Sequence, residues 1–381
     1  MKILLTEFTG LGNFILTCHA IKFLEKQKLR ITIVGNNKYH GLDFLKFVYK
    51  KKIELINFEK ISLKRKINLY YQIYKKKYQE FIIGPASAPN NFLLILIFFI
   101  GRLNIIYNSD FKYNSNFFVK FIYKSLIKFN NFINHNKYSV QMINIEKGSH
   151  EIRENLKLMF RNKINNFNVN NYNSYKFNLK KNIFNEKILI KLGLKKRTYI
   201  VFQPLSSSGN LTPKNWSLEK FLYLAELYNN LKINIVIIGD IKEKNILKNF
   251  FVPPYINNLV GKTNFKELVN LLYFSKGIVC LDSGIVHLAN AINVKTIGLF
   301  GCTDNTKVMP FGINTKVISK NVECSPCIIS YSSISNSQFK FKSEKEAFLN
   351  CQNNFKCMET IDAQEVFDIT CDFFKIKNVY K

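Results

Sequence analysis

The segment from Val279 to Asp304, VCLDSGIVHLANAINVKTIGLFGCTD, constrains the fold of this chain more than any other. An apolar run ends in Asp282-Ser283-Gly284, and a helix-like segment follows at once, with His287 in its first turn. A second apolar run, Thr296 to Phe300, ends in Gly301-Cys302-Thr303-Asp304. The pattern is strand, tight turn, helix, strand, tight turn. In a parallel α/β sheet, ligands collect outside the carboxyl ends of the strands. A helix that starts there turns free backbone N–H groups and the positive end of its dipole toward an anion. The segment therefore reads as half of a pyrophosphate site.

The remaining chain supplies a frame for that site. A length of 381 residues allows two domains, each with its own core. In the first half, strands are expected at Lys2–Thr6, Arg30–Val34, Ile53–Ile56 and Glu80–Gly84. Helices are expected from about Phe14 to Lys26, over Leu42–Tyr49 and over Phe58–Lys77, the last with a lysine-rich solvated face. Such alternation indicates a parallel sheet. Residues 129–177 are Asn-rich and favour loops and short helices. After them, strands are expected at Tyr199–Pro204 and Ile233–Gly239, and helices at Ser217–Tyr228, Lys242–Phe250 and Phe265–Phe274. The expected division is residues 1–177 and 178–360, with 361–381 a tail whose helix crosses back to the first domain.

Apolar residues make up 47% of the chain, as in a globular protein. The net charge of +30 has two sources. Abundant Lys, Asn, Ile, Phe and Tyr share A/T-rich codons, and a basic surface attracts anionic membranes or nucleic acid. No C2H2 finger or RRM signature accompanies the charge, so an anionic membrane or a phosphorylated acceptor is favoured over nucleic acid. Lys2-Ile3-Leu4-Leu5 begins a strand without a secretory signal, and the apolar window Phe92–Ile100 is too short to span a bilayer. A cytoplasmic protein, soluble or peripheral at the inner membrane, is expected. Cys324-Ser-Pro-Cys327 with Cys351 and Cys357 forms a cluster that has two readings, a structural zinc or reduced thiols without metal.

The candidate chemistry gathers in the second half. Ser283, Gly284 and Ile285 can present backbone N–H groups to a diphosphate, with His287 as a side-chain donor. Lys214, ending the first strand–helix loop, offers a point charge to a phosphate or leaving group. Glu243, four residues past Gly239, can accept hydrogen bonds from ribose hydroxyls. Thr303 and Asp304 can contact sugar or phosphate. Each also has an ordinary structural role open to it, such as Asp282 capping a helix or His287 filling a core. Their recurrence at successive strand ends favours a nucleotide site. In the first half, Gly10-Leu11-Gly12-Asn13 is not a G-x-G-x-x-G fingerprint, because Ile15 takes its last position.

Several of these motifs together resemble glycosyltransferase family 9, which contains the lipopolysaccharide heptosyltransferases. They are the Gly-x-Gly-Asn turn after the first strand, the Lys-x-Trp turn at Lys214, and the Asp-Ser-Gly-x-x-His-Leu segment at Asp282. A Phe-Gly-x-Thr-Asp strand end at Asp304 and the Cys-x-Pro-Cys cluster complete the set. The resemblance is strong from Lys214 to Cys327 and weaker over Met1 to Leu24. It implies a GT-B fold, two Rossmann-like domains facing across a cleft with the acceptor on the first and the nucleotide-sugar on the second. It further implies inverting transfer, without metal or cofactor, from a donor such as ADP-heptose to a lipid-linked glycan at the inner membrane. By the same resemblance Ser283, Gly284, Ile285 and His287 bind the diphosphate, Lys214 stabilises the departing nucleotide and Glu243 holds the ribose. Asn13 departs from the pattern, since the family has Asp there as general base and an amide cannot take a proton in that role. Glu7, His19 or a donor phosphate can substitute. The alternative is a protein that binds nucleotide-sugar and acts as a scaffold without transfer.

Overall fold

The structure is a computed structural model. It describes residues 2–7, 9–26, 29–35, 37–49, 53–57, 62–84, 104–108, 125, 140–144, 146, 148–160, 177, 179, 183–206, 212–247, 251–328, 339–341 and 343–377. The chain divides into two compact units, Met1–Tyr175 and Lys176–Lys381.

In the first unit the described elements are β1 (Lys2–Glu7), α1 (Leu11–Lys26), β2 (Arg30–Gly35), α2 (Gly41–Val48), β3 (Ile53–Asn57), α3 (Leu63–Lys75), β4 (Glu80–Ile83), β5 (Asn104–Asn108), β6 (Val140–Ile143) and α4 (Glu151–Phe160). The strands form one sheet in the order β3-β2-β1-β4-β5-β6, and every pairing is parallel. Ile3, Leu4 and Leu5 of β1 are all buried, as expected for a central strand covered on both faces.

The second unit continues with α5 (Lys187–Lys191), β7 (Tyr199–Gln203), α6 (Leu218–Asn230), β8 (Asn234–Ile237), a 3-10 turn at Ile241–Glu243, α7 (Lys244–Leu247), β9 (Ile256–Asn258), α8 (Phe265–Phe274), β10 (Ile278–Leu281), α9 (Gly284–Ala291), β11 (Thr296–Phe300), α10 (Asn305–Val308), β12 (Thr315–Ser319), α11 (Glu344–Leu349), α12 (Lys356–Glu359) and α13 (Ala363–Phe374). Its sheet is also wholly parallel, in the order β12-β11-β10-β7-β8-β9. Counted from its own first strand, that is the order of the first unit read from the opposite edge. Each sheet thus reverses direction once, between β1 and β4 and between β7 and β10.

Several boundaries differ from expectation for physical reasons. Helix α1 starts at Leu11, so Gly12 and Asn13 belong to its first turn; Phe14 N–H already bonds Gly10 C=O at 3.0 Å. Helix α3 starts at Leu63, and the exposed Lys64, Arg65 and Lys75 lie along it. Strands β5, β6, β9 and β12 and helix α4 lacked a clear sequence signal. The Phe92–Ile100 window and most of the Asn-rich stretch lie outside the described residues. No helix among the described residues is long and apolar enough to cross a membrane.

The tail helix is the main correction. Val366, Phe367, Cys371 and Phe374 of α13 are buried in the core of the second unit with Ile200, Phe221, Tyr228 and Leu299. The Phe367 and Tyr228 rings lie 5.1 Å apart, and the Tyr228 hydroxyl bonds Thr370. Gly277 leaves room for Phe374, whose ring a Cβ there would meet at 2.5 Å. The apolar face expected to reach the first domain is used up by the second.

Candidate functional site

The order reversal between β7 and β10 opens a crevice at the carboxyl ends of those strands, where open α/β sheets bind ligands. Ser283 joins the two strands. Its hydroxyl donates to Gln203 Oε1, at the end of β7, at 2.7 Å. The same oxygen accepts the Ile285 N–H at 3.2 Å and caps α9. The cap is therefore Ser283, not Asp282, and the Ile285 N–H expected to face a diphosphate is held by the cap. Gly284 opens the helix, and the remaining first-turn N–H groups and the helix dipole still favour an anion at this end.

Asp282 is freed for another task. Its Oδ2 lies 3.0 Å from Lys214 Nζ and accepts the Thr303 hydroxyl at 2.6 Å. Three strand ends, after β7, β10 and β11, thus meet in one charged knot. Lys214 has a second carboxylate partner, Glu344 Oε1 at 2.8 Å. Burial alone would lower the Lys214 pKa, but Asp282 and Glu344 outweigh it and hold the ammonium above its ordinary range. Burial likewise pushes the Asp282 carboxyl up, yet Lys214 and the Thr303 hydroxyl keep it below the usual range. His287 is buried beside this pair, and desolvation brings its pKa down to about 4. It is neutral near pH 7 and can offer a phosphate a hydrogen bond but no charge.

The loop carrying Lys214 is fixed by its neighbours. The Lys214 backbone N–H donates to Thr212 Oγ1 at 3.2 Å, and the Trp216 ring N–H donates to Ile361 C=O at 2.9 Å. Trp216 is fully buried, its ring 4.9 Å from Phe221.

Glu243 and Asp304 each cap a helix start. Glu243 Oε2 accepts the Asp240 N–H at 3.2 Å, while Asp240 Oδ1 accepts the Lys242 N–H at 2.9 Å, a reciprocal cap on the 3-10 turn. Burial, with Asp240 beside it, raises the Glu243 carboxyl to about 8. Asp304 caps α10, its Oδ1 accepting from the Thr306 N–H at 3.1 Å and the Thr306 hydroxyl at 2.5 Å. Its other oxygen, Oδ2, is buried without a hydrogen-bond partner among the described residues, as is Ser206 Oγ past the end of β7. Unsatisfied buried polar atoms are costly, and these two follow the ends of β7 and β11.

Cys324, Cys327, Cys351 and Cys357 line one hollow with Cys302. Among the described residues, no group of three or more His, Cys, Asp or Glu side chains is arranged to hold a metal, so the zinc reading has no geometric support. The segment instead braces the β11 end. Cys327 N–H and Ile328 N–H both donate to Cys302 C=O, at 3.0 and 2.9 Å, and the Ser325 hydroxyl bonds Gly301 C=O. Gly301 is needed there, since a Cβ would meet Met358 Sδ at 2.6 Å and Cys357 Sγ at 2.9 Å.

In the first unit, Asn13 is exposed in the first turn of α1, its carbonyl accepting the Thr17 hydroxyl at 3.0 Å. Glu7 ends β1 opposite Gly35, and its side chain lies outside the described residues. His19 is buried further along α1.

Sequence reasoning missed Glu344, Thr212, Gln203 and Ser206. Glu344 had a readable signal in Ser343-x-x-Glu346, a helix-start pattern that puts it in a first turn; Ser343 Oγ does accept the Glu346 N–H at 3.1 Å. Gln203 was visible only as a polar residue closing the apolar run YIVFQ.

The chain is similar to several known proteins. Lipooligosaccharide heptosyltransferase 2 of Campylobacter jejuni is 33% identical over 89 residues, which is 23% of this chain and 25% of that protein. The protein of the same description from Haemophilus influenzae is 29% identical over 136 residues, 33% of this chain and 37% of that one. The matches therefore span between a quarter and somewhat over a third of these curated relatives. The solved structure of E. coli ADP-heptose lps heptosyltransferase II superposes with a TM-score of 0.68 at 16% identity, covering 98% of this chain and 99% of that one. A family 9 glycosyltransferase from Veillonella parvula gives 0.67 at 15% identity, covering 99% and 98%. These likenesses show the GT-B fold. The family model for glycosyltransferase family 9 (heptosyltransferase) matches residues 136–337, more than half of the sequence and the ends of β7, β10 and β11, and the chain belongs to that family.

Proposed function

We propose that this protein is a glycosyltransferase that moves a heptose-like sugar from a nucleotide-sugar donor, ADP-heptose or similar, to a lipopolysaccharide core or related lipid-linked acceptor. The observation that carries this reading is the knot of Lys214, Asp282 and Thr303 at the carboxyl ends of three adjacent parallel strands, beside the start of α9. The diphosphate lies against the α9 N-terminus with His287 as a neutral donor, and Lys214 meets the charge that builds on the leaving group. Ser206 and Asp304 accept or donate to donor hydroxyls, and Glu243 serves the ribose. The acceptor oxygen bonds to the anomeric carbon as the carbon–oxygen bond to the diphosphate breaks. The electron pair leaves with the nucleotide, the acceptor proton passes to a base, and the configuration inverts. Neutralisation by Lys214 and the helix dipole lets the step proceed without a metal. The net charge of +30 supports a peripheral position on an anionic membrane, where such acceptors reside.

The test is incubation of the full chain with ADP-heptose and a heptose-deficient lipopolysaccharide acceptor, followed by mass spectrometry of the acceptor and assay of released ADP. A gain of one heptose with stoichiometric ADP is expected. Tight ADP binding with no transfer to any core acceptor would replace this reading with the scaffold alternative, which Asn13 in the place of the family's Asp favours.

A further inference from the structure

Lys214 is held by two carboxylates of different character. Asp282 follows β10, has 9% of its side chain exposed, and is also bound by Thr303. Glu344 opens the six-residue helix α11, in a distant part of the sequence, and is 31% exposed. One Glu344 oxygen meets Lys214 Nζ at 2.8 Å, and the other accepts the Thr212 hydroxyl at 3.1 Å. Thr212 Oγ1 in turn accepts the Lys214 backbone N–H, so lysine, hydroxyl and carboxylate close a ring.

The charges in this ring do not suit the proposed ligand. Two carboxylates, Asp282 and Glu344, already hold the one ammonium of Lys214, and His287 adds no charge. A diphosphate approaching Lys214 therefore competes with carboxylates for the same cation and is repelled by the one that stays. One carboxylate has to yield the ammonium. Asp282 is tied to the sheet end and to Thr303, whereas Glu344 borders solvent that can take up its charge.

We propose that Glu344 is a built-in competitor for the donor, a carboxylate that binds the Lys214 ammonium in the place of a diphosphate oxygen and sets the affinity for the nucleotide by having to be displaced. This rests on the reading of Lys214 as the diphosphate contact and adds a second, opposing partner to it. Glu344 acts through Lys214, and removing its charge strengthens nucleotide binding, an outcome that loss of a merely structural contact does not produce.

Calorimetric titration of the full chain with ADP, and separately with inorganic pyrophosphate, tests this. Glu344→Gln keeps size and hydrogen bonding while removing the charge, and should lower the Kd for both probes by about twofold to fivefold at low ionic strength, the scale of one partly exposed ion pair. The gain should shrink in high salt. Glu344→Asp, which keeps the charge but withdraws it by one methylene, should tighten binding less, and it decides the matter if the Gln variant does not fold. Equal or weaker binding in the folded variants, with the unaltered chain binding ADP, overturns the competitor role and leaves the proposed function standing. Failure of the unaltered chain and both variants to bind ADP or pyrophosphate overturns both.

Discussion

Each unit carries a strand–turn–helix beside the point where its strand order reverses, β1–α1 in the first and β10–α9 in the second, and the two are equipped differently. After β10, Ser283 caps α9 and bonds Gln203, while Asp282 is bound by Lys214 and Thr303. After β1, the chain passes through Gly10 straight into α1, and the first turn offers an exposed Asn13. The first arrangement is pre-organised: side chains are locked by partners from three strands before any ligand arrives, which is what differential stabilisation of a leaving group requires. The second exposes a polar amide with no capacity to take a proton. One topological device can thus be tuned for charge at one end of the chain and left neutral at the other.

The largest test of this contrast is Lys214→Met. It should lower kcat by about 100- to 1,000-fold in the donor-turnover assay, the scale of losing one electrostatic stabiliser. It should also reduce thermal stability, because Asp282 and Glu344 then face each other without a cation. Full activity would move the leaving-group contact elsewhere. The reverse experiment equips the first unit: Asn13→Asp should raise transfer by about 100-fold if a positioned base is all that is lacking. An unchanged rate with Asn13→Asp, together with loss of activity in Glu7→Gln, would assign the proton to Glu7 instead.

Smaller effects probe the second unit's locking. Ser283→Ala removes both the α9 cap and the link to Gln203, and should cost about 1 kcal/mol of stability in chemical unfolding of that unit. A value near zero would mean that the cap contributes nothing to pre-organisation. A pH-dependent effect concerns Glu243. Its carboxyl titrates near 8 in the folded protein, well above the ordinary carboxylate range. Between those values the folded state holds a proton that the unfolded state has lost, so stability falls as pH rises through that window. Glu243→Gln keeps the acceptor for the Asp240 N–H and should flatten that fall. The variant and the unaltered chain should melt together near pH 4 and separate by pH 8, at about 2–4 °C per kcal/mol for a unit of this size. Parallel melting curves across the range would remove the protonated-carboxyl assignment.

The sequence displayed the second unit far better than the first, for a physical reason. Strand runs such as YIVFQ and TIGLF are buried on both faces and bounded by polar turns, so type and position are both legible. Strands such as Asn104–Asn108 and Val140–Ile143 have only short apolar runs, interrupted or bounded by polar residues of an Asn-rich half. Within the candidate site, Ser283, Asp282, Lys214 and Thr303 do lie together, but their partners were not legible. Ser283 took the cap open to Asp282 because a hydroxyl reaches its own helix N–H from that position, which left the carboxylate to a cation from another strand end. Glu344 lies 130 residues beyond Lys214 in the numbering, and no periodicity links residues so distant. The tail helix was assigned to the wrong unit for a related reason: an apolar face announces that it will be buried and not by what.

The bond from the Trp216 ring N–H to Ile361 C=O, 145 residues away, has a consequence for biosynthesis. Lys214 stands two residues before that anchor, and Lys220, just beyond it, also reaches Ile361 C=O at 3.3 Å. During translation the strand bearing Asp282 is made before Ile361 exists, so the nascent polypeptide carries the sheet without the tether that holds the lysine loop. The loop bearing Lys214 therefore gains this tether late, only after Ile361 has been made, and a chain interrupted between Asp304 and Ile361 would lack it.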